Sequence, residues 1–131
     1  MMRTLASLSI VLLLSACSLF PSKFDYNEQA KIADIVEWTK SDVVCNNTEQ
    51  TRVLVQRLDN QAEWLVTYGR SLPNNEKLVI MYTNLDAITS DMIKRYDDTT
   101  RIPSVMYCKV KIKTINEAAS TMLPVSGRRP R

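Results

Sequence analysis

The chain has 131 residues, with 17 Lys and Arg against 14 Asp and Glu, and its formal net charge of +3 gives no electrostatic ground for a nucleic-acid partner. The length suffices for one domain with a real core, not for two. Histidine is absent and only Gly69 and Gly127 are glycines, so the usual general base, the commonest zinc ligand and any glycine-rich phosphate loop are missing; no enzyme, metal site or cofactor is expected.

Met1, Met2 and Arg3 give a short positive start, and an apolar run over residues 10–14 is too short to span a bilayer. Leu14, Ser15, Ala16 and Cys17 follow. Small residues ahead of Cys17 suit a peptidase cleft, and a thiol is the nucleophile that lipid transfer needs. The stretch resembles a bacterial lipoprotein signal peptide with its lipobox. That resemblance implies cleavage before Cys17 and two or three acyl chains on the new N-terminus, enough for a stable anchor. An ordinary signal peptide with an incidental Cys17 is the alternative. Ser18, where inner-membrane retention wants Asp, implies the periplasmic face of the outer membrane. The expected plan is a signal peptide at 1–16, a lipidated tether at 17–26, a helical domain at 27–123 and a basic tail at 124–131.

Over residues 27–44 the apolar positions Ile32, Ile35, Val36, Thr39 and Val43 recur every three or four residues, one face of a helix. Asn47 and Gln50 have the spacing of a capping-box variant for a second helix over 48–68. Its stripe is Leu54, Leu58, Gln61 or Ala62, Leu65 and Tyr68, and Gly69 stands where a left-handed C-cap is wanted. The third helix, 76–97, keeps the rhythm through Leu78, Met81, Tyr82, Leu85, Ile88, Met92 and Tyr96. Pro103 fits the first turn of a fourth. That helix carries Val105, Cys108, Ile112, Ile115, Ala119 and Met122, and Pro124 ends it. Residues 108–113 also alternate apolar and charged side chains, the signature of a half-buried strand. A lone strand has no partner here, and the helix also accounts for positions 115–122.

These stretches have similar lengths, about 27 to 33 Å at 1.5 Å per residue, and short connections, which favour antiparallel neighbours. The expected fold is an all-α, antiparallel four-helix bundle. In an oxidising compartment Cys45 and Cys108 are candidates for a disulfide, which the chain-entropy model values at roughly 4 kcal/mol; two buried free thiols are the alternative. The up-down topology places both cysteines at the end away from the tether. It returns Arg128, Arg129 and Arg131 towards the tether end, either as a disordered tail or beneath anionic head groups.

With Cys17, Cys45 in WTKSDVVCNN and Cys108 in PSVMYCKVKI, the chain resembles the pilotins of type II secretion, small outer-membrane lipoproteins that escort secretin subunits. The resemblance covers most of residues 24–123. It implies a bridge between the first and fourth helices and a groove that holds an amphipathic helix from the secretin C-terminus. Val79, Ile80 and Met106 lie off the assigned stripes and are candidates for lining such a groove; the plainer alternative is that they are core. The expected function is therefore a lipid-anchored periplasmic adaptor or chaperone of an envelope machine. A phage-encoded or phage-related outer-membrane lipoprotein with a spanin-like lysis role or an exclusion role is the competing expectation.

Overall fold

A computed structural model describes residues 22–131. The lipobox and Cys17 lie outside the described residues. Four helices follow one another: α1 (Tyr26–Trp38), α2 (Thr48–Ser71), α3 (Glu76–Asp97) and α4 (Val105–Gly127), with a 3-10 turn at Val43–Asn46 between α1 and α2. Among the described residues there is no strand, and the alternating run at 108–113 is helical throughout.

The helix starts have local causes. Asp25, Asn47 and Ser104 stand just before α1, α2 and α4, and their side chains accept the backbone N–H of Glu28, Gln50 and Tyr107 at 2.9, 3.0 and 3.0 Å. Each such cap is worth about 1 kcal/mol. The apolar faces then close on one another. α2 packs mainly on α3 and α1 mainly on α4, while α3 with α4 and α1 with α2 complete the ring of a bundle. Ile32 and Ile35, Leu58 and Leu65, Tyr82 and Leu85, and Ile112 and Ile115 meet at its centre, all essentially inaccessible to water. Burying a side chain of that size contributes about 1.5–3 kcal/mol.

Cys45 and Cys108 form a disulfide across 63 residues of sequence, with their Cα atoms 5.7 Å apart. The bridge ties the 3-10 turn to the first turn of α4.

The structure departs from the periodicity in four places. The first helix stops at Trp38 rather than running to residue 44, and Val43 is exposed. Thr39 Oγ1 donates to the Ile35 carbonyl at 2.7 Å, and Asn116 Nδ2 of α4 donates to the Val36 carbonyl at 3.1 Å. The Ile35 carbonyl already holds the last helical N–H, from Thr39, and the Asn116 bond satisfies the Val36 carbonyl that a continuing helix would have used.

α2 runs through Gly69 to Ser71, and Gly69 has no left-handed backbone. Its role is close approach. A Cβ there would lie 3.0 Å from Cε2 of the buried Tyr82 ring.

The fourth helix begins after Pro103, with Val105 half exposed rather than in the core. It also continues past Pro124 to Gly127. Proline removes one bond to the residue four before it. Ser120 and Pro124 are both exposed, and Arg128 N–H donates to the Pro124 carbonyl at 3.1 Å beyond the break.

Candidate functional site

Val79 and Ile80 sit in the first two turns of α3, directly after the α2–α3 connection. Ile80 is 63% exposed and Val79 half-buried. With Gly69, Arg70, Leu72, Asn75 and Glu76 they line a hollow of about 250 Å³. Met106 is 68% exposed but lies in the first turn of α4, after the α3–α4 connection. Those two connections are at opposite ends of α3, a 22-residue helix spanning roughly 33 Å at 1.5 Å per residue. One groove therefore does not hold all three. None of the three is core in the sense of full burial, and Ile80 and Met106 face water.

The surface around Met106 is the larger one. Exposed Val43, Ile102, Val105, Met106 and Val110 all lie within six residues of a half-cystine of the bridge. Beside them, a groove of about 510 Å³ runs between residues 39–42 and α4. Val110 and Ile112 supply its apolar wall, and Lys40, Lys109 and Lys113 supply cations. Lys40 pairs with Glu37, and Lys113 reaches Glu117 only at 4.0 Å. Lys109 has no ion-pair partner among the described residues. Asp42 is the one acidic residue lining the groove.

At the opposite end the interior is polar. Arg129 is neither a disordered tail residue nor a free cation: it is buried and forms an ion pair with Glu28, which is wholly inaccessible. Asn75 joins both. Its Nδ2 donates to Glu28 Oε2 at 2.9 Å and to the Gly69 carbonyl at 3.1 Å, and its Oδ1 accepts from Arg129 at 2.8 Å. Arg129 also donates to the Ser126 carbonyl and hydroxyl and to Ser22 Oγ, at 3.1–3.2 Å. Phe24 N–H donates to the Pro130 carbonyl at 2.8 Å, and Arg131 lies 5.4 Å over the Phe24 ring.

Among the described residues the buried Tyr82 hydroxyl has no hydrogen-bond partner. Burial, reinforced by the neighbouring Glu28 carboxylate, holds this phenol far above its ordinary range. The cluster points inward and links α1, the α2–α3 connection and the C-terminus. It is a fastening, missed by the sequence reading because Glu28 and Arg129 stand 101 residues apart.

Among the described residues no helix is long and apolar enough to cross a membrane. Comparison with protein-family models, with curated proteins and with solved structures finds nothing that matches this chain.

Proposed function

We propose that the protein is a lipid-anchored adaptor or chaperone of an envelope machine, held through acyl chains on Cys17 at the periplasmic face of the outer membrane. In its sharpest form it is a pilotin-like carrier that binds the C-terminal helix of a secretin. The observation that carries this reading is a disulfide-stapled helical body that leaves large apolar side chains in water around the staple. Clustered exposed apolar side chains mark interaction sites, and a groove between the connection at residues 39–42 and α4 offers a partly apolar wall to a helix laid on its apolar face.

Two experiments test it. Labelled palmitate should enter the wild-type protein, and Cys17→Ser should abolish labelling and release the protein to the soluble periplasmic fraction. Unchanged membrane fractionation of that variant would end the anchor reading. Titration with a peptide from the C-terminus of a co-encoded secretin should give binding with a negative heat-capacity change, because apolar surface is buried. If no such peptide binds, the lysis or exclusion reading takes its place.

A further inference from the structure

Exposed apolar side chains are spread unevenly over this molecule. Near the disulfide, Met106 and Val110 are one turn apart on the outer side of α4, 68% and 53% exposed. Val43 faces water two residues before Cys45. The groove beside them is apolar along Val110 and Ile112 and carries three lysines against one aspartate. Lys109, the first α4 residue lining the groove, has no ion-pair partner among the described residues, while Lys40 pairs with Glu37 and Lys113 only loosely with Glu117. A ligand that covered only the apolar side chains would leave this ammonium facing it without a counter-charge.

We infer that the groove between residues 39–42 and α4 docks an amphipathic helix with acidic flanks. The helix lays its apolar stripe on Met106 and Val110 and sets carboxylates against Lys109 and Lys113. This deepens the adaptor reading and rests on it, by giving the partner segment a charge. The lysines argue against a second copy as occupant, since a two-fold contact through this face brings like charges together. The concave wall argues against a flat lipid surface, which would leave the groove floor at Ile112 unfilled.

The test uses the full chain in neutral lipid nanodiscs and three labelled 18-residue peptides. All carry Leu at helical spacing, with Glu, Gln or Lys at the remaining positions. The Glu peptide should bind about tenfold more tightly than the Gln peptide at low salt, with the advantage shrinking as salt screens it. The Lys peptide should bind weakest. Lys109→Glu combined with Lys113→Glu should invert that order, a swap that mere loss of folding cannot produce. Met106→Asp should weaken the Glu peptide, and Ile80→Asp, at the other end of the bundle, should not. Circular dichroism should show all variants folded, because Ile80, Met106 and Lys113 are exposed and Lys109 is only half-buried.

Equal binding of the three peptides, an order that fails to invert, or sensitivity to Ile80→Asp would overturn the inference. So would protection of Lys109 and Lys113 from acetylation only on nanodiscs containing anionic lipid, which would mark a membrane face. A secretin peptide that binds with no response to lysine reversal sinks this surface and leaves the adaptor reading standing. A Glu peptide that binds through these lysines while no secretin peptide does keeps the surface and sinks the pilotin form.

Discussion

At one end of the bundle Cys45 and Cys108 join α4 to the turn after α1 by a covalent bond. At the other, Glu28, Asn75 and Arg129 join the start of α1, the α2–α3 connection and the C-terminus by charge and hydrogen bonds. The two fastenings do different physical work. The bridge acts largely by restricting the unfolded chain, which it closes into a long loop. The polar cluster acts only in the folded state, where every charge removed from water must be matched by a partner. The bridge therefore tolerates exposed surroundings, and the ion pair requires burial and a full set of partners. Near the polar cluster Tyr26 and Ile80 reach solvent; around the disulfide more large apolar side chains do, with Val43, Ile102, Val105, Met106 and Val110 all exposed.

The sharpest way to break this comparison is to remove one charge. Arg129→Met leaves Glu28 buried and unpaired and should cost about 3–5 kcal/mol, read by urea unfolding. Glu28→Leu with Arg129→Met should be less damaging than Arg129→Met alone, because no orphan charge remains. A double variant as damaging as Arg129→Met alone would overturn this account of the cluster.

Breaking the bridge comes next. Cys45→Ser should lower stability by about 2–5 kcal/mol. Reductant should bring the wild type down to the same melting temperature and leave the variant unmoved. Two free thiols in periplasm-derived protein would contradict the bridge.

A smaller effect is expected at Gly69, whose carbonyl holds Asn75. Gly69→Ala gains roughly 1 kcal/mol of helix propensity, but a methyl 3.0 Å from the buried Tyr82 ring overpacks at a cost of about 1–3 kcal/mol. Thermal melting should show net destabilisation, and the paired Tyr82→Leu, Gly69→Ala variant should recover part of it.

Smallest of all is Tyr82→Phe. It removes a buried hydroxyl that has no partner among the described residues, so stability near neutral pH should change by less than about 1 kcal/mol, in either direction. The pH dependence is more telling. The folded phenol is held neutral above its ordinary value of 10.0, whereas the unfolded one ionises there. Its contribution is therefore complete below pH 10.0 and erodes as the pH climbs beyond it. The Phe variant should lose less stability than the wild type over that alkaline window.

The apolar rhythm of α2, α3 and α4 made most of the bundle legible, since Leu58, Leu65, Leu85, Ile112 and Ile115 are buried at the expected spacing. Local pattern failed wherever a distant side chain decided the outcome. Val43 continues the spacing of Ile32, Ile35 and Thr39, yet Asn116 of α4 caps the helix before reaching it. Arg129 sits in a basic run that reads as solvated, and nothing near it in sequence points to Glu28. Val79, Ile80 and Met106 all fall off the apolar stripes, but periodicity describes faces and not ends. Only the rise along α3 separates them.

The bridge also sets how the body responds to tension. Pulling between the start of α1 and the first turn of α4 sends force along α1, through residues 39–44 and across the Cys45–Cys108 bond. α2 and α3 lie within the closed 63-residue loop, off that line. They cannot be paid out as slack while the bond is intact, so a tug between those two points stretches a short rope rather than unravelling the bundle.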